Sequence, residues 1–504
     1  MTLVYTPNLW TQFIEIAESE PESISFSFED GKYTFFETQK RAQQLSQSLL
    51  NSGVKNGNVV GIFHDKSFDG FCLMLACLRI GSPYVNLDPN TPPKRLEKIL
   101  KTCSPSIIVN LITHLNWLTE IAQSGYKLLT IDELKESPKQ LVIPTVTGNN
   151  PAYLMFTSGS TGMPKAAVIS HSSLLNFISW AKDRFEINNQ DRLTNVNPLF
   201  FDNSVFDFYA SLFNGATLCP APTNLLKNPL ELVSWVNSQT CTIWFSVPSL
   251  LVYLLTMRAL SQDNTMKSVR SVIFGGEGFP KSKLLKLFEI FSHQADLVNV
   301  YGPTEGTCIC SAHTVTKQDF VAMNKLTTLG KLADNFDYFI ELMEESTNRG
   351  ELILLGPQVC LGYFNSPEQT TSAFIQNPKH SNYRDIGYKT GDLVELDVNG
   401  NFHFLGRKDF QIKHMGHRIE LEEIEAAIAS IENIDESAVT YEKLNDGMGR
   451  ILLHFKGSPE IKDLTIINNL KSKIPSYMLP QKIIRHDQLP KNANGKIDRR
   501  ALFL

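Results

Sequence analysis

The sequence predicts an α/β protein. It has a large N-terminal domain of mixed, largely parallel sheets with helices, a small β-rich subdomain, and a small α+β C-terminal domain. Three observations carry this. Short apolar runs alternate with helix-like runs between residues 59 and 274, the rhythm of strands joined through crossover helices. Several of these runs end in glycine-rich turns. Past residue 340 the texture changes to short strands punctuated by Gly, Pro and Asn, and roughly residues 410–504 carry a pattern of their own. A chain of 504 residues is too long for one typical domain.

In chain order, residues 59–63 read as a strand, 68–80 as a helix, and 84–87 and 106–110 as strands. A strand at 152–156 leads into a hydroxyl-rich loop, and a helix follows near 172–182. Residues 243–247 and 271–274 read as buried strands, each ending in a turn or loop. Ligands in such sheets sit beyond the carboxyl ends of strands, so Gly275-Gly276-Glu277-Gly278 and Gly302-Pro303-Thr304-Glu305 lie where a site belongs. Residues 351–355 and 401–405 are short strands, and a boundary falls near Gly406-Arg407-Lys408-Asp409. Leu421, Ile424 and Ile428 share one face of an acidic helix over 420–431. A strand at 451–455, a helix near 464–473 and a polar segment over 490–500 complete the chain.

Composition sets bounds. Apolar content of 42% and charged content of 20% are ordinary for a globular protein. A net charge of −5 argues against a nucleic-acid protein, which shows a basic face. The first residues lack the basic and apolar regions of a signal peptide, and no apolar run approaches a membrane span. Eight cysteines are scattered without metal or redox spacing, as for reduced, buried thiols in a cytoplasmic protein.

The run Thr157-Ser-Gly-Ser-Thr-Gly-Met-Pro-Lys165 is built to hold a polyanion. Gly159 and Gly162 let the backbone approach and turn N–H groups inward, the hydroxyls of Thr157, Ser158, Ser160 and Thr161 add donors, and Lys165 adds a charge. It is not the Walker loop, because Pro164 precedes the lysine and Ala166 follows it. Composition alone would also suit a plain surface loop.

Lys165, Glu305, Asp392, Arg407 and Lys496 each sit in a Gly- or Pro-punctuated loop, and any one alone reads as a solvated charge. The stretches 153–165, Asn299-Val-Tyr-Gly-Pro-Thr-Glu305, Tyr388-Lys-Thr-Gly-Asp392, Gly406-Arg-Lys-Asp-Phe-Gln411 with Gly416-His-Arg-Ile-Glu420, and Asn494-Gly-Lys-Ile-Asp498 occur in one order. In that order they resemble the acyl-adenylate-forming (ANL) superfamily: acyl-CoA synthetases, firefly luciferase and the adenylation domains of nonribosomal peptide synthetases. Residues 78–89 extend the match, so the resemblance covers nearly the whole chain.

The resemblance implies a two-step reaction. A carboxylate attacks the α-phosphorus of ATP, giving an acyl-adenylate and pyrophosphate; a thiol then takes the acyl group and releases AMP. It implies that the 157–165 loop clasps the β- and γ-phosphates and that Gly276, Glu277, Asn299, Gly302 and Thr304 belong to the nucleotide site. Tyr301 would stack on adenine, although a Tyr after a buried strand is often core. Glu305 would hold Mg²⁺, a hard cation suited to carboxylate and phosphate oxygens. Asp392 would accept both ribose hydroxyls, against a plain turn residue, and Arg407 would contact the ribose or phosphate. Domains of 1–408 and 409–504 are implied. The smaller, mobile one rotates about Asp409 and brings Lys496 to bridge the substrate carboxylate and α-phosphate.

The stretch Phe201-Asp-Asn-Ser-Val-Phe-Asp207 narrows the branch. In amino-acid-activating members an aspartate matching Asp202 binds the substrate ammonium; the competing reading is a helix N-cap. The matching pocket positions are Asn203, Phe206, Phe245, Ile273, Gly275, Val300, Cys308 and Ile309. Beyond Asp202 and Lys496 this lining holds no ionised group, so it resembles pockets for branched aliphatic amino acids, isoleucine or valine. Apolar pockets separate neighbours that differ by one methylene by only about 1–3 kcal/mol. No carrier segment follows Lys496, so the expectation is a free-standing, monomeric enzyme that loads the phosphopantetheine thiol of a separate carrier protein. A D-alanine–carrier protein ligase, an acyl-CoA synthetase and a degenerate ATP-binding subunit are the alternatives.

Overall fold

Near-continuous apolar strands organise the chain, because a strand covered on both faces must be apolar throughout. The computed structural model describes residues 8–112, 124–134, 141–159, 162–343, 348–444, 449–491 and 497–503. The chain divides into two compact units, Met1–Pro89 with Cys103–Met155 and Ala166–Gly406, and Asn90–Thr102 with Phe156–Lys165 and Arg407–Leu504.

The first unit is built on three sheets. The largest has nine strands, with Ile24–Ser27, Thr217–Pro220, Arg192–Asn195, Ile243–Ser246, Ser271–Gly275 and Asp296–Tyr301 consecutive and parallel. Lys32–Thr34 closes one edge antiparallel, and Ser311–Thr314 followed by Lys331–Leu332 closes the other. A six-stranded sheet runs Leu128–Thr130, Ile107–Asn110, Val60–Phe63, Tyr84–Asn86, Pro151–Thr157, Lys165–Ser170. A five-stranded sheet is largely antiparallel and contains Asp337–Leu342, Arg349–Leu355, Ile386–Leu396, Phe374–Gln376 and Phe402–Arg407.

Local chemistry explains the boundaries. The helix Phe68–Ile80 starts where the Ser67 hydroxyl accepts from Gly70 N and stops at Gly81, whose φ of 69° is a left-handed cap. The strand Ile243–Ser246 does not run into a loop as its sequence suggests. Pro248 opens the helix Pro248–Thr256 directly after it, at a position where a missing N–H costs nothing.

In the second unit the hairpin Gln411–His414 with His417–Glu420 leads into the helix Leu421–Ile428. A three-stranded sheet pairs Ile434–Lys443 with Gly449–Gly457 and then Lys482–Arg485. Leu421, Ile424 and Ile428 form one buried face against Val439, Ile451 and Ile466. Arg95 pairs with buried Glu423, tying the helix Pro93–Cys103 to this unit. All eight cysteines are free and buried, and no described helix is long and apolar enough to cross a membrane.

Candidate active site

In the first unit, Phe245, Ile273 and Val300 lie on three neighbouring parallel strands, Ile243–Ser246, Ser271–Gly275 and Asp296–Tyr301. Phe206, Phe245, Ile273, Val300, Cys308 and Ile309 belong to one buried cluster. The rings of Phe206 and Phe245 meet edge to face with centroids 5.2 Å apart. Gly275 lies at the end of its strand, and a Cβ there would sit 2.5 Å from the Val300 carbonyl oxygen, so no larger residue fits without moving backbone. Thr307 and Cys308 both adopt left-handed φ values, 59° and 72°. Successive positive φ angles at residues other than glycine are strained, and such strain concentrates at functional turns.

Asp202 lies half-buried at the head of the short helix Asn203–Val205. Its side chain makes no capping bond to that helix, which removes the N-cap reading. Instead Thr304 donates its hydroxyl to Asp202 Oδ2 at 2.6 Å. Asn203 is half-buried, and its amide nitrogen lies 3.9 Å from the Cβ position of Gly276, an ordinary contact. Glu277 accepts from the Ser249 backbone N–H at 2.7 Å.

A second group forms around the end of the strand Asp296–Tyr301. Asn299 donates to the Thr328 carbonyl at 2.8 Å. Tyr301, buried in the core of the five-stranded sheet, donates its hydroxyl to Asp392 Oδ2 at 2.6 Å. Asp392 follows Gly391 at φ 72°, and its N–H is held by the Thr390 hydroxyl. Gly302 is forced by packing: a Cβ there would lie 2.2 Å from the Cys308 carbonyl oxygen. Glu305 is fully buried and accepts from the Tyr363 hydroxyl at 2.6 Å, while its carbonyl takes the Cys360 N–H.

Behind the aromatic wall lies a polar cluster that the sequence does not announce. Asp207, Asn195, Asn197 and Lys66 are all buried. Burial raises the Asp207 carboxyl above its usual value and lowers the Lys66 ammonium below its own. The one signal was Asp207 itself, a second carboxylate in the Asp202 stretch followed directly by apolar residues.

The loop 157–165 belongs to the second unit. Gly162 N–H closes a tight turn onto the Gly159 carbonyl at 2.9 Å, and a Cβ on Gly159 would sit 2.0 Å from the Met163 carbonyl oxygen. Ser158 donates its hydroxyl to the Arg418 carbonyl at 2.9 Å. The Thr157 hydroxyl is buried and has no partner among the described residues. Lys98 donates to the Gly162 carbonyl at 2.7 Å, and Lys165 lies near enough to Glu420 to influence its carboxylate. Arg407 makes a bidentate pair with Asp409 at 2.8 and 2.6 Å. Burial opposes the Asp409 carboxylate, but the Arg407 fork outweighs it and holds the group below its usual range. Ser160, Thr161 and Lys496 lie outside the described residues.

Residues 13–364 match the family described as AMP-binding enzyme, and residues 423–496 match AMP-binding enzyme C-terminal domain. The chain is 32% identical over 480 residues to an L-proline–[L-prolyl-carrier protein] ligase of Pseudomonas fluorescens, covering 92% of each chain. It is 30% identical to tyrocidine synthase 3 of Brevibacillus parabrevis over 97% of its own length, and spans 7% of that protein. Among solved structures, the Vibrio cholerae adenylation domain AlmE, in complex with glycyl-adenosine-5'-phosphate, superposes with a TM-score of 0.81 at 23% identity, covering 100% of this chain and 99% of that one. The o-succinylbenzoate CoA synthetase of Bacillus subtilis superposes with 0.86 at 23% identity, over 99% and 98%. At that identity the two structures establish the fold.

Proposed function

The chain belongs to the AMP-binding enzyme family as an ATP-dependent adenylating ligase, and from that premise we propose that it activates an aliphatic amino acid for a carrier protein. The substrate carboxylate attacks the α-phosphorus of ATP and displaces pyrophosphate. The phosphopantetheine thiol of a separate carrier then attacks the aminoacyl carbonyl and displaces AMP. The relation to a prolyl-carrier ligase over 92% of both chains supports the acceptor. Eight free, buried thiols support a reducing, cytoplasmic setting.

The observation that carries the amino-acid reading is Asp202. Its carboxylate is held by Thr304 four residues before Phe206, at the polar end of an otherwise apolar set of side chains. A carboxylate so placed pairs with an ammonium and leaves the aliphatic side chain to Phe206, Phe245, Ile273, Val300 and Ile309. The buried aromatic pair favours a compact branched chain, isoleucine or valine. Proline is the first competitor, on the strength of the Pseudomonas relative.

The remaining roles follow the chemistry of each group. The buried, unpartnered Thr157 hydroxyl and the inward turn at Gly159 support binding of the β- and γ-phosphates by the 157–165 loop. Tyr301 faces adenine, and Asp392, steadied by the Tyr301 hydroxyl, takes the ribose hydroxyls. Glu305 fits Mg²⁺: it is a buried carboxylate, and Mg²⁺ takes one or two such ligands plus phosphate oxygens. When bound, the ion neutralises phosphate charge. Lys496 bridges the substrate carboxylate and the α-phosphate, and the segment from Asp409 onward rotates between the two half-reactions.

The test is amino-acid-dependent pyrophosphate exchange across a panel. Exchange with isoleucine or valine supports the proposal. Exchange only with D-alanine, or only with fatty or aryl acids, overturns it, and exchange with proline alone replaces the side-chain assignment.

A further inference from the structure

One feature of the first unit has no role in that chemistry, the polar cluster behind the aromatic wall. Asp207 sits in the π-helical turn Phe206–Ala210, next to Phe206 and five residues past Asp202. Its Oδ2 accepts from Asn195 Nδ2 at 2.9 Å and from Asn197 Nδ2 at 3.0 Å. Asn197 Nδ2 also donates to the backbone carbonyl of Phe245 at 3.0 Å. Lys66, in the left-handed region at φ 51°, donates Nζ to the Asn195 carbonyl at 2.6 Å and attracts the Asp207 carboxylate. Two acceptors, Asp207 Oδ1 and Asn195 Oδ1, have no partner among the described residues.

This arrangement is costly. A buried carboxylate with one unmatched oxygen, a left-handed lysine and a π-turn are each unfavourable beside a well-packed apolar alternative. Buried unsatisfied groups in native structures call for a reason. The geometry supplies one. Asp207 is covalently adjacent to Phe206, and Asn197 connects it to the backbone of Phe245. The carboxylate is therefore the hub that joins the two walls whose rings meet at 5.2 Å. Protein interiors transmit such placements because they are close-packed.

We infer that Asp207, held by Asn195, Asn197 and Lys66, is a positioning residue that sets the separation of the Phe206 and Phe245 walls, and so the side-chain size the pocket accepts, without touching the substrate. The inference rests on the amino-acid reading of the site. Selectivity is then fixed partly from behind the pocket, by residues that a list of lining positions omits.

The test uses the full chain with Asp207→Asn, which keeps shape and one acceptor oxygen, and Asn197→Ala, which cuts the bridge from Asp207 to the Phe245 carbonyl and leaves Asn195 on the carboxylate. The double variant Lys66→Met with Asp207→Asn leaves no uncompensated buried charge if the single change prevents folding. Exchange kinetics are read with the cognate amino acid and with phenylalanine. The expected result is a rise of about tenfold in KM for the cognate amino acid and a fall of about fivefold or more in its preference over phenylalanine, the scale of one or two methylenes of fit. KM for ATP stays within about twofold, which general loosening of the fold would not spare. Wild-type exchange with unchanged selectivity in folded variants overturns this inference alone. Absence of amino-acid-dependent exchange in the wild type overturns the amino-acid reading and this inference with it.

Discussion

At the scale of the residue, Asp202 and Thr304 make the sharpest claim. A hydroxyl donating to a carboxylate at 2.6 Å fixes the direction in which the charge faces. Hydrogen bonds to charged groups contribute about 1.5–3 kcal/mol, so Thr304→Val should raise KM for the amino acid by about tenfold or more while Thr304→Ser stays near wild type. Asp202→Asn should lower exchange by about a hundredfold, since it removes the partner of a desolvated ammonium. Equal kinetics for Thr304→Val and Thr304→Ser would contradict the positioning role. The order of residues around Asp202 singled it out in the sequence. Its meeting with Thr304 was not, because nothing local reports a contact across 102 positions. The same limit hid Tyr363 on Glu305, 58 positions apart.

At the scale of the element, the strand-to-loop passage at 151–165 depends on Gly159. A side chain there would meet the Met163 carbonyl oxygen at 2.0 Å, and a backbone atom cannot swing aside as a side chain can. Gly159→Ala should open the turn and raise KM for ATP by about tenfold, with little change in KM for the amino acid. An unchanged KM for ATP would remove the loop from the phosphate site. Elements of this kind were the most legible part of the fold. The helix Phe68–Ile80 falls on the expected 68–80, and the acidic helix 420–431 shortens to Leu421–Ile428. Buried parallel strands announce themselves as apolar runs, yet those runs do not state their neighbours. The pairing of Arg192–Asn195 between Ile243–Ser246 and Thr217–Pro220 had to come from the structure.

At the scale of the whole molecule, buried histidines contribute to the response to acid. Burial draws the His171 ring from 6.5 down to about 4, where its Nδ1 accepts the Leu9 N–H at 3.2 Å. Between those values the unfolded chain binds more protons than the folded one, so this contribution to stability is lost as pH falls through the window. His64, also drawn to about 4, acts with the same sign, whereas the buried Asp207 and Glu423 carboxyls, raised by burial, act with the opposite sign. A single-site comparison separates these contributions. The stability gap between wild type and His171→Gln, measured by urea unfolding, should narrow as pH falls from 6.5 to about 4, and a constant gap would contradict the assignment. The proposed rotation about Asp409 makes a separate prediction. Proline fixes φ, so Asp409→Pro should keep pyrophosphate exchange within about threefold while carrier loading falls by about a hundredfold. Undiminished loading would remove Asp409 as the hinge.

The central claim is that the site selects an amino acid through its amine. Pyrophosphate exchange measured with isoleucine or valine, and with the same carbon skeleton lacking the amine, tests it most directly. The amine at Asp202 predicts robust exchange with the amino acid and a loss of about a hundredfold or more with the amine-free acid. Equal exchange with both would contradict it.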